Sequence, residues 1–152
     1  MEQVSLKYFI ALIARLIIAG AFVWAALPKI MAPLDFAVAV SGFRLLSPVM
    51  TNWVAVLLPW LELITAIGLL TPWLRRASGL CIGLMLSLFI TLHLYAWMLG
   101  LNIDCGCFGK GTEDGYPNYL WAVGRNICLL LACGWIIVID LGSGQQAKHA
   151  QQ

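Results

Sequence analysis

Long apolar stretches alternate with shorter polar segments along the chain. Four of these stretches are long enough to cross a bilayer, since a transmembrane helix needs about 20 predominantly apolar residues. They cover residues 8–27, 53–70, 77–101 and 119–141. The pattern therefore predicts an all-α protein, an integral membrane four-helix bundle, in which residues 1–152 form a single membrane domain and 142–152 are a polar tail.

The first connection, residues 28–52, is too long and too apolar to be a simple turn. Its middle, from Asp35 to Leu46, is hydrophobic but shorter than a spanning helix, and Asp35 is a candidate N-cap. Such a segment favours a short interfacial or re-entrant helix in the first outer loop.

Composition narrows the class of protein further. Of 152 residues, 62% are apolar and 11% are charged, less than half of the roughly 25% that is usual for soluble domains. These values exclude a soluble globular domain, a disordered chain and a nucleic-acid binder. The formal net charge of +2 indicates no electrostatic partner, so membrane lipid is the partner that composition implies.

Basic residues indicate how the chain is oriented in the membrane. The short second connection carries Arg75 and Arg76, and the termini on the same side add Lys7 and Lys148. The positive-inside rule therefore favours cytoplasmic termini and an extracytoplasmic third connection, residues 102–118. The basic residues assigned to the opposite side are Lys29, Arg44 and Lys110.

The third connection carries the sharpest local feature, Cys105-Gly106-Cys107. A disulfide across this spacing closes a tight ring, and strain makes such a bond easier to reduce. The pair fits a redox centre, a static structural disulfide, or half of a metal site. Zinc takes four ligands and the outer loops hold no second cysteine pair, so metal is not favoured.

Two opposite charges fall within the predicted spans. Arg15 lies about 18 Å and Glu62 about 14 Å below the outer boundary at the α-helical rise. Ionisable groups at membrane depth are usually paired or functional. We predict a structural ion pair between Arg15 and Glu62, with a proton or substrate role as the alternative.

His93 and Arg125 lie about 9–12 Å below the same boundary, on the side of the cysteine pair. We predict that they bind a cofactor. In the alternative, His93 bonds a backbone carbonyl and Arg125 bonds carbonyls of the third connection or of a helix end. The cysteines within the spans are expected to pack as small apolar residues. They are Cys81, Cys128 and Cys133.

Four stretches carry a resemblance to a known family. They are Arg15 with Gly20 and Phe22 before Lys29, the LPWLEL stretch from Leu58 to Leu63, the DCGCFG stretch from Asp104 to Gly109, and Arg125-Asn126 in the last span. Together they resemble the methylamine utilisation protein MauE family, within the DoxX-like group of four-helix membrane proteins. The resemblance covers roughly residues 8–140, and the DCGCFG stretch is its most specific part.

The resemblance implies a bacterial inner-membrane protein linked to maturation of disulfide-containing periplasmic proteins. The architecture is also similar to the four-helix core of vitamin K epoxide reductases, which pass electrons between periplasmic thiols and a quinone. We therefore expect a thiol–disulfide oxidoreductase in which Cys105 and Cys107 are catalytic. They would exchange disulfides with a thioredoxin-like or disulfide-containing extracytoplasmic partner, with a quinone near His93 and Arg125 as cofactor.

Two other functions fit the same residues. In the first, the chain is a non-enzymatic membrane assembly or accessory subunit, and Cys105 and Cys107 form a structural disulfide. In the second, the two thiols bind a thiophilic ion such as Cu(I), which would make the chain a soft-metal handling protein.

Overall fold

Five helices make up the part of the chain that the structure describes. A computed structural model describes the backbone of residues 2–101 and 119–149, and the side chains of residues 6–101 and 119–141. The helices are α1 (Glu2–Met31), α2 (Pro33–Gly42), α3 (Pro48–Leu70), α4 (Arg75–Met98) and α5 (Tyr119–His149). No strand occurs within these described ranges, which confirms the all-α prediction.

Four of the helices are long and apolar enough to cross a membrane. Their spanning segments are Leu6–Met31, Pro48–Leu70, Arg75–Met98 and Tyr119–Leu141. The chain is therefore a multi-pass membrane protein. The remaining helix, α2, is apolar but only 10 residues long, which confirms the short helix predicted in the first connection.

The end of α1 differs from the prediction. The helix continues through Pro28 to Met31, so Lys29 is a buried helical residue and not part of an outer loop. Proline removes one backbone donor, and a membrane helix tolerates this where neighbouring groups satisfy the backbone. The carbonyl of Pro28 still accepts a hydrogen bond from the Ala32 N–H.

Two further boundaries are shifted. The second span begins at Pro48 and not at Trp53, because Ser47 is the N-cap and Pro48 occupies the first helical turn, where a proline is well tolerated. At the other end of the chain, α5 continues as a helix to His149, through much of the segment expected to be a polar tail.

The four long helices close into a ring. Contacts join α1 to α3, α3 to α4, α4 to α5 and α5 to α1, while α2 packs on α3 and on α1. Apolar side chains from all four long helices fill the centre. This core comprises Ile18, Ala19, Phe22, Ala66, Leu69, Ile82, Met85, Leu86, Cys133 and Ile136. Large apolar side chains also cover the outer surface, as contact with lipid requires.

Small residues bring α3 and α4 close together near their connection, Thr71 to Leu74. A Cβ atom placed on Gly68 would lie 2.2 Å from the Ser78 Oγ. Close approach of helices through small residues is a general feature of membrane bundles. Glycine at this position therefore sets the spacing of α3 and α4 at this end of the bundle.

Candidate functional site

A buried ion pair joins the end of α1 to the middle of α3. Lys29 Nζ donates to Glu62 Oε1 at 2.6 Å, and the two side chains are 2% and 0% exposed. Removing both charges from water is costly, so such a pair persists only where its geometry is good and further groups support the charges.

Aromatic rings supply part of that support. Lys29 Nζ lies 5.1 Å from the centre of the Phe36 ring and 5.3 Å from that of Phe89. Both distances are within the range of cation–π attraction. Phe36 belongs to α2, so the short helix covers the ammonium group from outside the ring of long helices.

His93 lies one turn after Phe89 on α4. Its Nδ1 is 2.7 Å from the Phe89 carbonyl oxygen. A carbonyl oxygen only accepts, so Nδ1 carries the proton and Nε2 is the acceptor nitrogen of the neutral ring. The structure thus shows the backbone-carbonyl bond that was the alternative prediction for His93.

An aromatic contact connects His93 with the start of α5. The rings of His93 and Tyr119 meet edge to face, with their centroids 6.4 Å apart. The Tyr119 hydroxyl donates to the Leu101 carbonyl oxygen. This bond ties together the two ends of the connection that carries Cys105 and Cys107.

Polar side chains from all four long helices converge on a small cavity of about 20 Å³. A cavity of this size holds about one water molecule. Glu62 Oε2 has no hydrogen-bond partner within the described residues, and the cavity borders its carboxylate. The polar side chains in its wall are Lys29, Glu62, His93, Arg125 and Asn126, and we call it the polar cavity after them.

A much larger apolar groove also borders His93. Its volume is about 760 Å³, and α2, α3 and α4 form its walls. Sites for small molecules and cofactors typically have volumes of about 300–1,000 Å³ and mostly apolar walls. His93 and Phe89 border both the apolar groove and the polar cavity, so the two spaces lie next to each other.

The predicted ion pair between Arg15 and Glu62 is wrong. Arg15 Nη2 instead donates to Asp140 Oδ1 at 2.5 Å, and Glu62 pairs with Lys29. Arg15 lies about 14 residues before Lys29, which is about 21 Å along α1 at the helical rise. Because the end of α1 is level with the middle of α3, Glu62 lies too far from Arg15 to pair with it.

The Arg15–Asp140 pair lies at the end of the bundle that carries the α3–α4 connection. Arg76 Nη2 donates to the Asp140 backbone oxygen at 2.7 Å, which attaches the start of α4 to α5. An open pocket of about 320 Å³ borders Arg75, Arg76 and Asp140. This end of the bundle is therefore charged and accessible.

The predicted site residues are distributed unevenly. His93 and Arg125 line the same polar cavity, as their predicted depths require, and their cofactor role stays a prediction. Cys105 and Cys107 lie outside the described residues. Cys133 packs in the core as predicted, with its Sγ 3.2 Å from the Gly79 oxygen.

The positions of two cysteines differ from the sequence-based prediction, and three residues of the sites were not predicted. Cys81 and Cys128 are exposed on the outside of the bundle and not packed in its core. Sequence reasoning also missed Lys29, Asn126 and Asp140. The signal was available for Lys29 and Asp140, because each is a charge at the edge of an apolar run.

Comparisons with known proteins agree with the architecture. The family model described as Methylamine utilisation protein MauE matches residues 7–139. A Methylamine utilization protein MauE from Methylorubrum extorquens is 34% identical over 124 residues, covering 79% of this chain and 66% of the relative. That from Methylophilus methylotrophus is 34% identical over 120 residues, covering 74% and 60%.

A third relative of the same name, from Paracoccus versutus, is 34% identical over 131 residues, covering 85% of this chain and 69% of the relative. The chain thus spans about two thirds or less of the length of the first two relatives. No solved structure matches the chain.

Proposed function

The chain belongs to the methylamine utilisation protein MauE family, and from that premise we propose that it is a bacterial inner-membrane thiol–disulfide oxidoreductase. It supports maturation of a disulfide-containing extracytoplasmic protein of a methylamine utilisation system. Cys105 and Cys107 are the exchanging thiols, and a quinone in the apolar groove is the electron partner. The termini are cytoplasmic, as the basic second connection favours.

The chemistry balances between these two partners. Oxidation of the Cys105–Cys107 dithiol to a disulfide releases two electrons and two protons, and reduction of a quinone to a quinol takes up both. Exchange with the protein partner passes through a mixed disulfide, in which one thiolate attacks and the other resolves. The reverse direction uses the same steps.

The observation that carries the proposal is the position of His93 beside the apolar groove. The groove is large enough for a quinone ring and part of its isoprenoid tail, and His93 is the titratable side chain among the described residues of its wall. With Nδ1–H donating to Phe89, the neutral His93 ring can accept a hydrogen bond from a quinol hydroxyl at Nε2. Such a polar contact orients a ligand in an otherwise apolar site.

The anchoring of the third connection supports electron transfer at this place. Tyr119, which contacts His93, bonds the Leu101 carbonyl at the start of that connection. Cys105 follows Leu101 by four residues in the sequence, and a chain of that length reaches at most about 14 Å. A dithiol within that reach of Leu101 would lie at the same end of the bundle as the groove, as the proposal requires.

Cysteine substitution tests the exchange step. We expect Cys105→Ser and Cys107→Ser each to abolish partner maturation, and one of the two to trap a covalent complex with the partner. Cys128→Ser and Cys133→Ser are the controls and should retain activity. If both loop variants fold normally and retain full activity, the dithiol is not the working centre and the proposal fails.

Blocking the groove tests the quinone. Leu57→Trp adds bulk to the groove wall, whereas Leu131→Trp adds the same bulk to an exposed position on α5. A photoreactive quinone analogue should label the wild type and the Leu131→Trp variant at the groove, and the Leu57→Trp variant much less. Equal labelling of all three would exclude the groove as the quinone site.

The second candidate is a non-enzymatic membrane accessory subunit. The two buried ion pairs, Lys29–Glu62 and Arg15–Asp140, support this candidate, because buried ion pairs can fix the register of helices without taking part in a reaction. Under this function, loss of Cys105 or Cys107 would lower the stability of the protein without trapping any partner. The same cysteine variants therefore distinguish the two functions.

A further inference from the structure

The open pocket next to the α3–α4 connection has no part in the proposed redox function. It lies at the opposite end of the bundle from the polar cavity, and its volume is about 320 Å³. Pro72, Trp73, Arg75, Arg76 and Asp140 form its walls. We call it the basic pocket.

The basic pocket is level with the membrane surface. The second span ends at Leu70, the third begins at Arg75 and the fourth ends at Leu141, so three apolar segments stop around the pocket. Trp73 in its wall is 95% exposed. Tryptophan is enriched where headgroups meet acyl chains, so the pocket opens at the depth of lipid phosphates.

The charges in and behind the pocket leave a positive excess. Among the described residues, Asp140 is the single carboxylate in its wall, and Arg15 binds that carboxylate from the core side. Arg76 donates to the Asp140 backbone oxygen, and this bond to a neutral carbonyl does not offset the positive charge of Arg76. With Arg75 added, three guanidinium groups lie near one carboxylate in the part of the chain whose side chains are described.

Arg75 also has unused hydrogen-bonding capacity. Its Nε is buried and has no hydrogen-bond partner within the described residues. Buried donors are nearly always satisfied in native structures. The adjacent N-cap residue, Leu74, offers no capping side chain, so the first turn of α4 adds further backbone donors on the same side.

We propose that the basic pocket binds the phosphate group of an anionic phospholipid, with Arg75 as the principal ligand. A guanidinium group binds phosphate oxygens through two parallel hydrogen bonds, which a lysine ammonium cannot do. Basic pockets between membrane helices bind anionic headgroups by the same chemistry. The position at headgroup depth identifies a lipid, and not a soluble anion, as the source of the phosphate.

Lipid binding to the purified full-length protein tests this inference. Native mass spectrometry after titration with phosphatidylglycerol or phosphatidylcholine counts the bound lipid directly. We expect phosphatidylglycerol to bind more tightly, and Arg75→Gln to weaken that binding about fivefold, the effect of one basic residue near an anionic surface. Arg75→Lys should recover only part of the loss, because it restores the charge but not the paired donors.

Lys7→Gln is the matched control. Lys7 is an exposed basic residue at the same end of the bundle and lies outside the pocket, so its removal changes the net charge equally. Lys7→Gln should bind phosphatidylglycerol as the wild type does. An equal loss in both variants would show attraction to bulk charge only, and equal binding of the two lipids by the wild type would overturn the proposal.

Glycerol 1-phosphate distinguishes a lipid from a soluble phosphate. We expect it to displace phosphatidylglycerol only at far higher concentration, since it lacks the acyl chains that lie against the bundle. If it binds the wild type as tightly as the lipid does, and with the same dependence on Arg75, the pocket takes a soluble phosphate and the lipid assignment is wrong.

Discussion

The two buried ion pairs of α1 have the same kind of chemistry in different surroundings. Arg15 and Lys29 are about 14 residues apart, nearly four helical turns, so both project from roughly the same face of the helix. Lys29–Glu62 is enclosed by aromatic rings and borders a cavity of about 20 Å³. Asp140, the partner of Arg15, borders an open pocket of about 320 Å³.

The two pairs therefore suit different roles. An enclosed pair depends on its partner and on the rings around it, because bulk water does not reach the charges to replace them. A pair next to an open pocket has access to water and to other ligands. The enclosed pair therefore suits a site that must exclude water beside the apolar groove, and the open pair suits contact with the membrane surface.

Removing one charge from each pair should give the largest contrast. Glu62→Gln leaves Lys29 buried without a counter-charge, and we expect a loss of about 3–5 kcal/mol in the free energy of unfolding. Asp140→Asn should cost less, about 1.5–3 kcal/mol, because water from the open pocket can approach Arg15. Unfolding in detergent micelles, followed by circular dichroism, measures both losses.

A double variant checks the reason for the larger loss. Lys29→Met combined with Glu62→Leu removes both charges and should recover most of the stability lost in Glu62→Gln. Equal losses for Glu62→Gln and Asp140→Asn would show that enclosure does not distinguish the two pairs.

Hydropathy predicted the spans well because the bilayer imposes length and apolar composition on each helix. The partners of the charges were less accessible to sequence reasoning. The apolar pattern stops at Pro28 and so predicts the end of the first span there, which places Lys29 in a loop, whereas the helix continues to Met31. Depths counted from that boundary then brought Arg15 level with Glu62.

The position of α2 explains why the depth count failed. Its Phe36 covers Lys29, so the short helix occupies space above the end of α1 while α3 continues past it. A count of residues from each span's end assumes that all spans end at one level. The sequence therefore predicted that His93 and Arg125 share a site, but not that Lys29 and Glu62 belong to it.

Salt should affect the two pairs differently. Raising the ionic strength from about 0.05 M to about 1 M shortens the Debye length to about 3 Å, which screens charges that water can reach. We expect the stability difference between wild type and Asp140→Asn to shrink under this change. The difference for Glu62→Gln should stay constant, since ions do not enter the enclosed site.

The same unfolding measurements in both salt concentrations supply the test. A salt-dependent Glu62→Gln difference as large as that of Asp140→Asn would mean that solvent reaches Lys29 and Glu62. The apolar groove would then not be separated from water by this pair.

The smallest expected effect concerns the rings that enclose Lys29. Phe36→Leu in α2 and Phe43→Leu at its C-cap both replace a buried phenylalanine in the wall of the apolar groove, but only Phe36 contacts the ammonium group. The common loss of packing cancels between them. We expect Phe36→Leu to cost about 0.5–1 kcal/mol more than Phe43→Leu, which is the size of a cation–π contribution.

Repeating both substitutions in a variant without Lys29 shows where that difference in stability comes from. In a Lys29→Met variant the ring no longer faces a cation, so the two phenylalanine substitutions should have equal effects, and the double-mutant cycle isolates the interaction energy. A difference that persists without Lys29 would come from packing alone. The enclosed pair would then be held by its hydrogen bond and by burial, and α2 would act as a cover and not as a ligand of the charge.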